Sequence, residues 1–314
     1  MLWFITKRLG AGVVLVFAIS SVAYALIYST AGSNVARNIL GESATSEQIT
    51  AKTSELGLDQ PLWQQYLAWL GSAVRGDFGR SWFSAEAVSS MVGNRLPVTL
   101  SMVLGAVLVT AVLSAVLGVT AAVRGGLVDR VLQFVSVLGF SLPNYWLALV
   151  LVLVFAIAWP LFPATGYVPL QDGPTEWARS LVLPVTALAV GGIASAAQQI
   201  RGAVIDVLEL DYVRTLRAHG VGHRSVLMRH VLRNAAPPAL TVLSLQFIGL
   251  LSGAVVIEKV FGIPGLGTMT INAAFQGDIP ATMGVVVVMV VLVVVVNLVI
   301  DITNGWINPK ARLQ

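Results

Sequence analysis

The 314-residue chain carries few side chains suited to covalent chemistry. Cysteine is absent, which excludes disulfides, thiolate metal sites and cysteine nucleophiles. The only histidines, His219, His223 and His230, fall within one twelve-residue stretch. Imidazoles that close could hold a divalent metal, but no carboxylate cluster accompanies them, and they read as solvated loop residues. Other chemistry fails by pattern. There is no G-x-x-x-x-G-K-[ST] loop to cradle phosphates and no H-E-x-x-H metal helix, nor a G-x-S-x-G nucleophile elbow. Gly265 and Gly267 give G-x-G, but the third glycine is missing and Pro264 marks a turn. The chain therefore lacks the usual means of hydrolysing ATP. Any energy from nucleotide must arrive through a partner.

The elements around these residues belong in a bilayer. Hydrophobic residues make up 56% of the sequence and charged residues 11%, against roughly 25% charged in a soluble domain. A bilayer core about 30 Å thick takes roughly 20 apolar residues as a helix. Six segments qualify: 9–30, 98–123, 131–159, 181–205, 239–257 and 283–300. The fourth is expected to be interrupted, by Pro184 and the Gly191-Gly192 pair. The last is nearly solid valine, and its length without turn residues predicts a helix rather than a strand. Lys7-Arg8, an apolar run and Ala23-Tyr24-Ala25 imitate a cleaved signal, but the run is too long for a signal core and reads as a retained span. With the N-terminus inside, the inner segments hold 12 of the 19 basic residues and the outer segments 10 of the 15 acids. That is the positive-inside pattern, with both termini cytoplasmic. The net charge of +4 thus reports cytoplasmic loops rather than nucleic-acid binding.

Three regions follow: 1–30 as N-terminus and first span, 31–96 as an extracytoplasmic insertion, and 97–314 as a core of five spans. In the insertion, Thr45 and Gln48 fit a capping box, opening a short helix that runs to Leu56 and stops at Gly57. A second helix begins near Pro61 and carries Leu62, Tyr66, Trp69 and Leu70 on one face, suited to lying on the membrane or to docking a partner. The inner segment 206–236 holds a short helix capped by Asp211, ended at Gly220 by a left-handed turn. A second amphipathic helix, from about His223 to Asn234, carries Val226, Leu227, Val231 and Leu232 as its stripe. Pro237-Pro238 is expected to start the fifth span. The helix–glycine–helix has an apolar strip but no core of its own, so the strip needs lipid or another protein to cover it.

Asp211-Tyr212-Val213-Arg214-Thr215-Leu216-Arg217-Ala218-His219-Gly220, followed by His230-Val-Leu-Arg-Asn234, resembles the EAA loop of permease subunits in bacterial dipeptide/oligopeptide/nickel ABC importers. Gly220 matches the central glycine of that loop. Leu56–Pro61 and Gly76–Ser81 resemble outer signatures of the first of the two permeases in such systems, and Asn94–Pro97 resembles the entry to its second span. Glu258-Lys-Val-Phe261-Gly-Ile-Pro264-Gly265-Leu-Gly267 resembles its loop after the fifth span. The five motifs stand in the family's order, and the likeness extends over nearly the whole chain, from Trp3 to Pro309. The sequence departs from the general loop at two places, Arg214-Thr215-Leu216 for Glu-Ala-Ala and Arg233 for proline.

The resemblance implies an all-α membrane protein of the type I ABC importer permease fold. It also implies a coupling helix that includes Asp211, Tyr212, Val213, Arg214, Thr215 and Arg217, flanked by Arg224 and Arg229, which docks on an ATPase subunit. The partners implied are a second permease, two ATP-binding subunits carrying ATP and magnesium, and an external solute-binding protein, in a bacterial cell membrane. This chain would hold no cofactor. The cargo implied is di- or oligopeptides, or nickel chelates or another small solute by the same machinery. Polar residues inside spans tend to face water or the bundle interior, which makes Ser141, Asn144, Gln198, Gln199 and Gln246 candidates for the path. A channel or secondary transporter would leave the inner helix–glycine–helix unexplained.

Overall fold

The computed structural model describes residues 2–31 and 34–307; Lys310 and Arg312, two of the twelve basic residues assigned above to the inner segments, lie outside them. The described residues form helices and turns: α1 (Leu2–Ala31), α2 (Val35–Leu40), α3 (Ser46–Glu55), α4 (Leu62–Ala73), α5 (Val88–Arg124), α6 (Gly126–Ser141), α7 (Asn144–Val152), α8 (Pro174–Leu208), α9 (Asp211–Ala218), α10 (His223–Ser225), α11 (Leu232–Phe261), α12 (Leu266–Gln276) and α13 (Ile279–Ile307). Two wide π turns, Leu153–Ala158 and Val226–Val231, extend α7 and join α10 to α11.

Five of these stretches are long and apolar enough to cross a membrane. The sixth is the pair α6 and α7, bent by 94°. Here the expected order is reversed. The third span is broken and the fourth is continuous. Pro143 accounts for the break, because a residue before proline is pushed out of the helical region, and Leu142 adopts φ −82°, ψ 123°. The unbroken α8 tolerates Pro184 and Gly191-Gly192 because α6, α7 and α11 pack along it. Fourteen of its residues are buried, and such packing overrides the propensity of single residues. A second correction concerns Pro237-Pro238. They do not start a span; one helical stretch runs from His223 to Phe261, with both prolines inside α11. The valine-rich α13 is helical over 29 residues.

The chain divides into two compact units, one comprising Ile5–Thr99 with Pro264–Val294, the other Leu100–Ile263 with Val295 onward and Met1–Phe4. In the first, the capping box forms as expected, with Gln48 N–H donating to Thr45 Oγ1 and Thr45 N–H to Gln48 Oε1. Gly57, at φ 70°, ends α3. The face of α4 does not lie on a membrane surface. Tyr66 is buried with Tyr24, Val35, Leu58, Ile279 and Met283, with Leu62, Trp69 and Leu70 packed against them. Tyr66 Oη and Ser20 Oγ share a hydrogen bond of 2.8 Å, which seats α4 on α1. In the second unit, α5 meets α8 at Gly118, where an added Cβ would stand 2.7 Å from the Ala197 carbonyl oxygen. Small residues at such crossings let membrane helices approach closely.

Candidate functional site: a polar cluster between spans and a cationic turn

Two regions of the second unit gather the residues singled out by sequence. The first lies along α8 at Gly191-Gly192. Without side chains of their own, these glycines leave room that three neighbouring helices fill with polar groups. An added Cβ on Gly192 would sit 3.3 Å from Thr110 Oγ1 of α5 and 3.4 Å from Gln246 Oε1 of α11. One on Gly191 would sit 3.4 Å from Asn144 Oδ1, and one on Gly253 of α11 would sit 3.4 Å from Asn144 Nδ2. The break at Pro143 starts α7 at Asn144, so the bend presents this amide to the glycines. Thr110 is fully buried and its hydroxyl has no hydrogen-bond partner among the described residues. Gln246 and Asn144 are half-buried. A buried hydroxyl without a partner among the described residues and two half-buried amides, all neutral, therefore converge where four helices meet.

The other path candidates do not join them. Ser141 is exposed and donates to its own helix at Val137 O, 2.7 Å away. Gln198 and Gln199 are exposed farther along α8, and Gln199 Nε2 bonds Ser195 Oγ at 3.3 Å. Thr110 was missed by sequence because threonine is commonplace in spans; only the crossing of α5, α8 and α11 distinguishes it.

Near the ends of α6 and α8, Arg201 grips Asp129 with two hydrogen bonds, Nε to Oδ1 and Nη2 to Oδ2, the latter at 2.6 Å. Gln133 Nε2 donates to the same carboxylate at 3.0 Å. The side chains are only 28% and 14% exposed, and a bidentate fork of this kind fixes geometry as well as adding energy. It clamps α6 to α8.

The second region is α9 and its turn. Leu210, not Asp211, is the N-cap, and no side chain caps the helix. Asp211 instead lies in the first turn and pairs with Arg214 at 3.5 Å, with both side chains largely exposed. At the other end, Gly220 sits at φ 77°. Gly220 N–H bonds Arg217 O at 3.0 Å and Val221 N–H bonds Leu216 O at 3.1 Å, the paired bonds of a Schellman stop. The apolar strip proves to be covered by the chain itself. Val213, Val226 and Val231 are buried with Ile200, Val204, Val207 and Ala235. Leu216, Leu227 and Leu232 pack against that cluster. Asn234 Nδ2 donates to Tyr212 Oη at 2.9 Å, tying α9 to the start of α11. What remains outside is a cationic face: Arg214, Thr215, Arg217, Arg224, Arg229 and Arg233 are exposed, beside Leu210, Tyr212 and Met228 at 48%, 37% and 57%. His219 and His223 are exposed and His230 is half-buried.

The motif after the fifth span divides in two. Glu258 and Phe261 are buried at the end of α11, where Gly262 at φ 61° stops the helix. Pro264 is exposed, Gly265 is the N-cap of α12, and Gly267 is buried in that helix. Leu266 N–H donates to Thr99 Oγ1 at 2.8 Å, a buried bond that anchors the start of α12.

Comparison with known proteins agrees with this architecture. Residues 114–313 match the family described as binding-protein-dependent transport system inner membrane component, and residues 1–103 match its N-terminal family. A Brucella abortus protein provisionally described as a peptide transport system permease is 36% identical over 309 residues, 98% of each chain. The di/tripeptide transport system permease protein DppB of Pseudomonas aeruginosa is 35% identical over 336 residues, and the glutathione transport system permease protein GsiC of Escherichia coli is 33% identical over 315, each match covering 100% of both chains. Among solved structures, the MetNI methionine ABC transporter shares the fold at TM-score 0.55 and 16% identity, over 69% of this chain and 96% of that one. Bundled spans, an apolar-backed cationic turn and full-length likeness coincide. This chain belongs to the binding-protein-dependent transport system inner membrane components, the permeases of ABC importers with the type I fold.

Proposed function

We propose that this permease forms half of the translocation path of an ATP-driven importer of peptides, with a homologous permease as the other half. The full-length relatives carry this reading, since they are named for di/tripeptide, dipeptide and glutathione transport. ATP is hydrolysed by two partner subunits. A solute-binding protein delivers peptide from the side of residues 34–96, and both termini are cytoplasmic.

The coupling role falls to α9. Val213 and Leu216 pack it against the end of α8 and the Val226–Val231 turn that leads into α11, so a push on the helix is transmitted to two spans at once. The Schellman stop at Gly220 makes the reversal rigid, and the arginine-rich face with Leu210, Tyr212 and Met228 is what an ATPase subunit can grip. The cluster of Thr110, Asn144 and Gln246 suits a peptide in transit. Neutral donors and acceptors can exchange hydrogen bonds with its amides, whereas a fixed charge would hold it too tightly to release.

The test is uptake of a labelled dipeptide by proteoliposomes holding the complete complex. Uptake should require ATP, ATPase subunits and binding protein together. Dipeptide entry without ATP would sink the importer reading. The cysteine-free sequence also permits a sidedness assay in cells. Ser46→Cys should react with an impermeant thiol reagent from outside, and Met228→Cys only after permeabilisation.

A further inference from the structure

In the unit of Ile5–Thr99 and Pro264–Val294, a groove of about 300 Å³ opens among the 81–84 loop, the first turns of α5, helix α12 and the start of α13. Its walls include Ser84, Met91, Arg95, Met269, Asn272 and Gln276. Asp278 also borders it but is already satisfied. Only 2% exposed, its carboxylate accepts from Ser81 Oγ at 2.5 Å and from the Trp82 and Ala281 N–H groups at 3.3 Å each. It caps the N-terminus of α13, where the helix dipole favours an anion.

Arg95 is different. A guanidinium has five N–H donors, and the hydrogen bond seen here is from Nη1 to Met91 O at 3.3 Å. It makes no ion pair with any described residue and is half-buried in the groove wall. A planar fork with unspent donors, set in a groove beside two amides, is shaped for a carboxylate. Asn272 and Gln276 are exposed on α12, and Phe275 on the same helix is 84% exposed. Arginine and exposed aromatics are the side chains that most often anchor protein interfaces.

We propose that this groove is a docking point for the solute-binding protein, in which an acidic side chain of that partner pairs with Arg95 and an apolar surface beside it covers Phe275. The proposal rests on the importer reading and on the sidedness that puts residues 34–96 outside. A peptide carboxylate is the poorer occupant, because a fixed cation would retain the cargo.

The experiment titrates peptide-loaded binding protein against the ATPase rate of the complete complex in nanodiscs. Arg95→Gln should raise the concentration for half-maximal stimulation about tenfold and flatten its salt dependence, while saturating binding protein still reaches the wild-type rate. Arg95→Lys keeps the charge but loses the fork, and should give about a threefold rise. Phe275→Ser, at a side chain 84% exposed and so outside the packed core of the chain, should raise the same concentration and keeps the test open should Arg95 variants assemble poorly. Unchanged half-maximal concentrations for both Arg95→Gln and Phe275→Ser would overturn the proposal. So would an Arg95→Gln effect that appears with a free-carboxylate dipeptide but vanishes with its amidated form, since that assigns Arg95 to the cargo. A wild-type complex that the binding protein does not stimulate fails at the importer reading instead, and the docking proposal falls with it.

Discussion

The polar cluster at Gly191-Gly192 and the cationic turn at Gly220 both depend on glycine, but for opposite reasons. At Gly220 the backbone conformation is the requirement: φ is 77° and an added Cβ would meet nothing within 4 Å. At Gly192 the conformation is ordinary helix and space is the requirement, since Thr110 and Gln246 occupy the room a side chain would take. The turn is a local device held by two backbone bonds spanning six residues. The cluster is assembled from four helices distant in sequence. One region carries excess positive charge on its surface, and the other only neutral polar groups inside a bundle. A rigid, charged turn suits the coupling role proposed for it, and neutral hydrogen-bonding groups suit the proposed path.

Substitutions can separate the two kinds of glycine. The largest effect is expected at Gly118, a third, purely steric case. Gly118→Val brings side-chain atoms against the Ala197 carbonyl and Arg201 amide, backbone that cannot swing aside. Overpacking of this kind costs about 1–3 kcal/mol or more, and the permease should largely disappear from membranes on immunoblots. Normal accumulation would mean that α5 and α8 do not cross there. Gly220→Val comes next. Strain of roughly 1–2 kcal/mol in the left-handed region should tilt α9, leaving membrane insertion intact but abolishing transport or co-purification of the ATPase subunits. Normal transport would remove the coupling role from this turn.

Arg201→Gln takes the fork from the Asp129 carboxylate, which is 14% exposed in the intact pair. Breaking one side of such a pair costs more than replacing both. The single variant should lower the melting temperature of the purified complex, and adding Asp129→Asn should restore most of the loss. Equal destabilisation by the single and double variants would show that the clamp is not the reason. The smallest effect on stability belongs to the cluster itself. Gln246→Leu should slow dipeptide uptake while preserving assembly, and Thr110→Val, which deletes a hydroxyl with no partner, should leave stability unchanged or slightly higher. Lost stability with unaltered uptake in Gln246→Leu would mark this residue as a tie between helices.

Much of the α9 region was legible because its signals are short-range. The spacing of Val226, Leu227, Val231 and Leu232 announced their buried face, and the glycine after Ala218-His219 announced the stop. Thr45 and Gln48 announced a cap in the same way. What covers the valines was not legible, because Ile200, Val204 and Val207 come from the end of α8 and reach the turn only through folding. The break in the third span was misplaced for a related reason. Pro143 and Pro184 look alike in sequence, but α8 is packed along its length and continues through its proline, whereas Leu142 is driven out of the helix. Asp278 could have been found, since Gly277-Asp-Ile-Pro280 has the pattern of a helix start.

By itself the sequence determined the number of apolar spans, the uneven distribution of charge among the segments that connect them, the stop at Gly220 and the resemblance that points to an ABC permease. These depend on composition or on residues a few positions apart, where helical geometry sets the distances. Only the tertiary structure decided that Thr110, Asn144 and Gln246 meet at two glycines, that Arg201 clamps Asp129 across 72 positions, and that Arg95 faces a groove with donors to spare. Those arrangements depend on which helix faces are turned toward each other. In a chain so uniformly apolar, periodicity barely distinguishes one face from another; close packing and the need to satisfy buried polar groups make the choice.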